Sequence, residues 1–271
     1  AAWPSLYPVL RRQNMQTDMT GKVALVTGGA GGIGEFICER LAQAGGTVLM
    51  LDVDESKAEE TLGRLGERLG AAAQRIQFVL GDLNDLQATD QLAQDLVKRH
   101  GTIDVLVNNA CINPLGPLDE AGIEEFERTQ RINSHSGFVL ARAIVPSMKQ
   151  KGAGWIVNIA SITFNGGWGD FVPYVHSKGA IVGMTRAMAR ELGPFNIRVN
   201  SISPGAIPTE LERQVWAHKL EEYTQFILDH QSLKRRIEPQ EIAQTVHYLC
   251  CEASSGITGQ NLSVDGGWWM H

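Results

Sequence analysis

A single doubly wound α/β domain built on a parallel sheet is the fold this sequence predicts. Three observations predict it. Short apolar runs alternate with longer amphipathic stretches, the pattern of strands joined by crossover helices. The runs are almost wholly apolar, as strands are when helices cover both faces of a sheet. A glycine-rich turn follows the first run and opens the first amphipathic stretch. The runs fall at 22–27, 47–52, 76–80, 104–108, 155–160, 197–202 and 261–264. Helical periodicity occupies 33–44, 55–69, 85–100, 123–149, 172–192 and 239–250.

The first run leads into Thr27-Gly28-Gly29-Ala30-Gly31-Gly32-Ile33-Gly34 and then the 33–44 helix. Glycines there permit a tight turn and close approach of backbone to a pyrophosphate, an anion that the helix N-terminus favours. A merely flexible glycine turn is the alternative, and the strand–turn–helix setting argues against it. The second run ends on Asp52, a carboxylate placed to bind the ribose hydroxyls of NAD and to repel the 2′-phosphate of NADP. No Lys or Arg lies within the turn or directly after Asp52, so NAD is the expected cofactor.

The 55–69 helix, the 76–80 run and the 85–100 helix continue the alternation. The fourth run exits into Asn108-Asn109-Ala110, asparagines that either cap a turn or support the nucleotide from the neighbouring strand. After the 123–149 helix, the fifth run is closed by Ser161. A hydroxyl at a strand's carboxyl end reaches the ligand crevice and can hydrogen-bond a reacting carbonyl oxygen; a helix-capping serine is the plainer alternative.

The 172–192 helix opens with Tyr174-Val-His-Ser-Lys178. A phenol and an ammonium at i and i+4 share one helical face. A nearby cation favours the phenolate, so the tyrosine can exchange a proton below its free pKa of about 10. Beside a nucleotide turn, the pair suggests hydride chemistry on an alcohol or carbonyl; alone, it reads as a surface tyrosine next to a solvated lysine. The 197–202 run is followed by a stretch, 204–237, rich in charge and in aromatic side chains such as Trp216, Tyr223 and Phe226. An insertion beyond the strand ends of such a sheet usually covers the site. The 239–250 helix and the 261–264 run close the domain.

Composition narrows the partners. A chain of 271 residues, 43% hydrophobic and 20% charged, is ample for one core. A net charge of −6 leaves no basic stripe for nucleic acid, and Lys234-Arg235-Arg236 is too small a cluster for that task. Cys38, Cys111, Cys250 and Cys251 lack CxxC spacing and read as reduced thiols of a cytoplasmic protein. The 7 histidines form no HExxH and pair with no cysteine, so no metal is expected. No apolar run reaches the roughly 20 residues needed to cross a bilayer. Residues 1–20 read as an extension rather than a secretory signal, because Trp3, Tyr7, Arg11 and Arg12 interrupt any apolar core. Nothing divides residues 21–271, which read as one domain.

Taken together, these residues resemble the short-chain dehydrogenase/reductase family from about Thr20 onward. Gly28, Gly31, Gly32, Ile33 and Gly34 resemble its cofactor turn, and Asp82 with Leu83 resembles the pair that touches the adenine. Asn109 resembles its central-strand asparagine, and Asn133 the helix asparagine that holds a relay water. Ser161, Tyr174 and Lys178 match the catalytic serine, tyrosine and lysine. Pro204, Gly205 and Thr209 resemble the segment flanking the nicotinamide carboxamide. Cys111 stands where the family usually has glycine, and local repacking is expected there. The resemblance implies a Rossmann-like seven-stranded parallel sheet, bound NAD, an alcohol or sugar substrate and a homotetramer. The closing Trp268-Trp269 is available as an interface anchor.

A finer resemblance lies in the segments 183–187, 190–194 and 231–239 and in Gly267-Trp268, which are similar to bacterial NAD-dependent aldose 1-dehydrogenases. It implies oxidation of a sugar at C1 to a lactone. Trp168, Asp170 and Phe171, between Ser161 and Tyr174, and Trp216 in the insertion are the expected substrate residues. An indole and a carboxylate suit a sugar; apolar walls for a cyclic or aromatic alcohol are the alternative. Arg213, Lys234, Arg235 or Arg236 could contact an anionic substituent, although such charges more often meet solvent or another subunit. An NAD(P)H-dependent ketone or 3-oxoacyl reductase and a non-catalytic NAD-binding scaffold remain as further alternatives.

Overall fold

Seven parallel strands run through the molecule, which a computed structural model describes over residues 17–216 and 219–270. They are β1 (Val23–Thr27), β2 (Thr47–Asp52), β3 (Ile76–Leu80), β4 (Val105–Asn108), β5 (Gly154–Ile159), β6 (Ile197–Pro204) and β7 (Asn261–Val264). The sheet order is β3-β2-β1-β4-β5-β6-β7. Val26 of β1 is therefore in register with Met50 on one side and Val107 on the other. The winding reverses between β1 and β4, and a doubly wound sheet opens its ligand crevice at that point.

The helices are α1 (Gly32–Gln43), α2 (Glu55–Leu69), α3 (Leu86–His100), α4 (Ile123–Gln130), α5 (Ser136–Lys151), α6 (Thr163–Gly166), α7 (Val172–Leu192), α8 (Glu210–Trp216), α9 (Leu220–His230) and α10 (Pro239–Leu249). None of the helices among the described residues is long and apolar enough to cross a membrane. Strand side chains alternate between two cores. Val26, Val107 and Val157 pack on Ile37, Leu41, Ile242 and Val246 of α1 and α10. Leu25, Leu106 and Ile156 pack on Leu96, Leu140, Ile144 and Leu192 of α3, α5 and α7. Both faces are covered, which is why the runs are apolar throughout.

Three departures from the expected elements have local causes. The expected 123–149 helix is interrupted by a π-helical turn, Arg131–His135. Ser134 and Ser136 hydroxyls donate to the Gln130 and Ile132 carbonyls four residues back, at 3.0 and 2.7 Å, a bond that competes with the regular ladder. The 204–237 insertion, for which no helix was expected, carries α8 and α9 beyond the end of β6. Finally, residues 17–20 pack against the domain. Met19 is fully buried, and the Thr17 carbonyl accepts a 2.7 Å hydrogen bond from His247 Nε2. Residues 1–16 of the expected extension lie outside the described residues.

One strand carries polar side chains inward. Arg198 on β6 donates to the carbonyls of Ile257, Leu249 and Cys251 at 2.9, 2.7 and 2.9 Å, and to Ser254 Oγ at 2.9 Å. It fastens the turn between α10 and β7, which positions the last strand and everything after it. Arg198→Met should therefore lower stability by about 3 kcal/mol in denaturant unfolding, because buried carbonyls lose their donors. A loss below about 0.5 kcal/mol would show that water replaces the guanidinium freely.

Candidate active site

The turn after β1 is assembled by close backbone contacts. A Cβ on Gly28 would lie 2.8 Å from Ala110 Cα, and one on Gly34 would lie 2.0 Å from the Gly28 carbonyl oxygen. Only glycine fits at either position. Gly34 thus shapes the turn from behind, whereas Gly28, Gly31, Gly32 and Ile33 face a cleft of about 540 Å³. Asn109 locks the turn to the exit of β4: its Nδ2 donates to the carbonyls of Thr27 and Gly28 at 3.0 and 3.1 Å. Thr27 Oγ1 accepts from the Asn109 and Ala110 amides at 2.9 and 3.1 Å. Asn109 thus ties the turn and also lines the cleft.

At the end of β2, Asp52 lines the same cleft. Its carboxylate accepts from the Ala30 amide at 3.0 Å and from Val53 and Asp54 at 2.8 and 3.3 Å. Asp82, Leu83, Pro204, Gly205 and Thr209 also border it. Open glycine backbone at a helix N-terminus, a carboxylate at the next strand end and an elongated cleft fit a dinucleotide.

Ser161, Tyr174 and Lys178 meet further along the cleft. Pro173 starts the first turn of α7 and delivers Tyr174 to the cleft wall that Ser161 shares. Ser161 Oγ accepts from the Thr163 amide at 3.2 Å and from Thr163 Oγ1 at 3.0 Å, which starts the short α6. One turn on, Lys178 is only 1% exposed and donates to the Ile159 carbonyl at 2.9 Å. Its Nζ lies 5.3 Å from the centre of the Tyr174 ring.

The electrostatics correct one expectation. Burial pushes the Tyr174 phenol well above its ordinary range, Cys111 acts in the same direction, and the Ser161 hydroxyl opposes them. Burial also lowers the Lys178 ammonium, with Cys111 opposing. Desolvation of both groups outweighs the attraction expected between them, so the protein alone holds the phenol protonated.

Asn133 stands behind the cleft wall rather than on it. Its Oδ1 accepts from the Ile112 amide at 2.8 Å, and its Nδ2 donates to the Ile112 carbonyl and to Ser177 Oγ at 2.9 and 3.0 Å. The π-turn aims it there, joining the loop after β4 to α7. Such turns recur at functional sites.

At the far end, Trp168, Phe171 and Trp216 line the cleft as expected. Trp216 is stacked on Tyr223 at 4.4 Å. Asp170 does not line it. It is exposed, has φ of 64°, and accepts from the Gly116 amide through its backbone carbonyl. The left-handed conformation turns the chain there and takes the carboxylate away from the substrate end.

The basic residues are engaged elsewhere. Arg236 holds Glu212 at 2.6 and 2.7 Å, Arg235 holds Glu241 at 2.7 and 2.8 Å, and Lys234 caps the Leu228 carbonyl at 2.7 Å. Arg213 lies 3.8 Å from Glu210. None of these four lines the cleft, but Glu212 does. Burial raises the Glu212 carboxyl above its usual range against the pull of Arg236.

Sequence reasoning missed three contributors. Trp268, expected at an interface, closes the cleft beside Trp168 at 5.7 Å and stacks on His230 at 5.3 Å. Asp265 places it by accepting from the Gly267 and Trp269 amides at 3.0 and 2.9 Å. Tyr223 lines the cleft from α9, and its spacing from Trp216 was the available signal. Lys57 lines it from α2, in the first turn after Asp54.

Comparison with known proteins agrees with this geometry. The family model described as enoyl-(acyl carrier protein) reductase matches residues 28–269. Dehydrogenase/reductase SDR family member 4 of Homo sapiens is 34% identical over 268 residues, covering 98% of this chain and 94% of that protein. The probable galactose dehydrogenase GalD of Rhizobium meliloti is 32% identical, covering 92% of this chain and 96% of its own. A solved structure of a putative NAD(P)-dependent gluconate 5-dehydrogenase from Beutenbergia cavernae, with bound NADP at low occupancy, superposes with a TM-score of 0.86. It is 31% identical and the match covers 93% of this chain and 98% of that one.

Gly34→Ala should weaken NADH binding at least about ten-fold in a fluorescence titration, because the new methyl forces the turn away from Gly28. Unchanged binding would show that the turn tolerates the shift.

Proposed function

The chain belongs to the short-chain dehydrogenase/reductase family, and from that premise we propose that it oxidises a sugar at C1 to a lactone with NAD. The observation that carries this reading is the meeting of Ser161, Tyr174 and buried Lys178 on one cleft whose other end is Asp52. When bound, NAD accepts the hydride from the carbinol carbon. Tyr174 Oη takes the hydroxyl proton as general base. Ser161 Oγ holds the reacting oxygen, and Thr163 orients that serine through two hydrogen bonds. Lys178 keeps donors beyond the one given to Ile159, and these would hold ribose hydroxyls. Asp52 would hold the hydroxyls of the other ribose, and Asn133 passes the proton outward through water while fixing the loop after β4.

Three indoles and a half-buried carboxylate support a sugar. Trp168, Trp216 and Trp268 offer faces for C–H stacking, and Glu212 offers an acceptor. The names of the galactose and gluconate dehydrogenases among the similar proteins point the same way. A cyclic or aromatic alcohol is the second reading, favoured by the Trp168–Phe171 and Trp168–Trp268 ring contacts at 6.4 and 5.7 Å.

The reading places a homotetramer in the cytoplasm. Support comes from four free cysteines and from exposed apolar side chains on α4 and α5, Ile123 at 79% and Phe138 at 53%. Light scattering should give about four chain masses; a single chain mass would contradict the assembly.

Tyr174→Phe should cut turnover about a thousand-fold while NADH binding stays within about two-fold. A wild-type rate in that variant removes Tyr174 from the chemistry. Because burial raises the phenol and oxidation requires the phenolate, oxidation should accelerate with rising pH and fade as pH drops. A rate that is flat between about pH 6 and about pH 9 would contradict a tyrosine base.

A further inference from the structure

The 204–237 insertion contributes charge of one sign to the cleft. Glu210 and Glu212 line it, and no basic side chain among the described residues of that stretch does. Glu210 is exposed, so solvent and salt screen most of its field. Glu212 is half-buried and held in one orientation, because Arg236 Nη2 donates to both of its oxygens at 2.6 and 2.7 Å. Arg236 is held in turn by the Ala206 carbonyl at 3.1 Å and Thr224 Oγ1 at 3.5 Å. The guanidinium stands behind the pair, and the carboxylate is the member that the cleft meets.

That pairing leaves the carboxylate capacity for a ligand. One nitrogen serves both oxygens, and each oxygen keeps a lone pair for a second donor. Aromatic side chains share the wall: Trp216 is stacked on Tyr223 at 4.4 Å, and both line the cleft. Burial, and then the Glu212 carboxylate, push the Tyr223 phenol up to about 12, so this ring stays neutral. The faces of such rings carry partial negative charge and attract cations. Ring faces beside a fixed carboxylate therefore favour positive or neutral groups and oppose a second anion.

We propose that Glu212 selects substrates by charge, admitting neutral or ammonium-bearing alcohols and refusing those with a carboxylate away from the reacting carbon. This rests on the sugar-oxidising reading given above and narrows it to neutral and amino sugars over sugar acids. It also revises the expectation that Arg213 or the 234–236 cluster meets an anionic substituent. Arg236 acts only through Glu212, as a positioning residue.

Two substrate series with NAD at about pH 8.5 test this, since carboxylates are then ionised and alkylamines largely protonated. One holds galactose and glucose with their 6-amino-6-deoxy derivatives and their uronic acids. The other holds 4-(hydroxymethyl)cyclohexanol, 4-aminocyclohexanol and 4-hydroxycyclohexanecarboxylate. In the unsubstituted chain kcat/KM should be at least about ten-fold lower for the carboxylates than for their neutral counterparts, and no lower for the amines. Glu212→Gln should bring all members of a series within about three-fold of one another, mainly through KM. Glu212→Asp, which keeps the charge, should keep the discrimination. A purely structural ion pair would instead lower every member alike in Glu212→Gln and leave the ratios unchanged, which would overturn the proposal. So would an unsubstituted chain that oxidises the uronic acids as readily as the aldoses, and that result would leave the sugar reading intact. Charge discrimination among the cyclohexanols without turnover of any sugar would keep the proposal and remove the sugar reading. No turnover in either series would remove both.

Discussion

Desolvation of one phenol and one ammonium at the carboxyl end of the sheet is the constraint on which the site depends. Lys178 is fully enclosed, and the Ile159 carbonyl is the acceptor that holds it. Burying a cation with so little compensation is costly, and the surrounding sheet and helices must supply the difference. The same enclosure keeps the Tyr174 phenol protonated. Ionising it near neutral pH therefore requires positive charge beyond Lys178. A phenol held protonated until the cleft is filled cannot act as a base on water alone.

The elements around the pair keep these two groups in place. Ser161 leaves β5 and starts α6, Asn133 ties the loop after β4 to Ser177 one residue before Lys178, and Asn109 ties the glycine turn to that same loop. The turn, the β4 exit and the start of α7 are thus one hydrogen-bonded unit. At the far end, Arg236 fixes Glu212 and Asp265 fixes the segment carrying Trp268. Both ends of the cleft are walled by side chains that another residue holds still, as a preorganised site requires.

What was legible in the sequence was local. The alternation of apolar runs reports the two cores, and Tyr174 and Lys178 are legible because one helical turn separates them. Ser161 and Asp52 are legible because each closes a strand. The rest depends on distances the chain creates only by folding. Trp268 reaches Trp168 across 100 residues through the turn that Asp265 holds. Lys57 reaches the cleft through a helix start, not through proximity in sequence. Asp170 looked suitable by type and position, but its left-handed backbone takes it out of the cleft. The Lys234-Arg235-Arg236 cluster could by charge have met an anionic substituent, yet folding pairs its arginines with Glu241 and Glu212.

The central claim is that Tyr174 is a buried phenol whose ionisation is controlled by charge within the cleft. Carbon-13 resonances of ring-labelled tyrosines, followed against pH with and without NAD and assigned through Tyr174→Phe, test it directly. The account predicts that the Tyr174 signal stays that of a phenol beyond the usual tyrosine pKa of about 10 in the free protein. With NAD it should move to the phenolate position much nearer neutrality. A signal that titrates near 10 in both states would contradict the account.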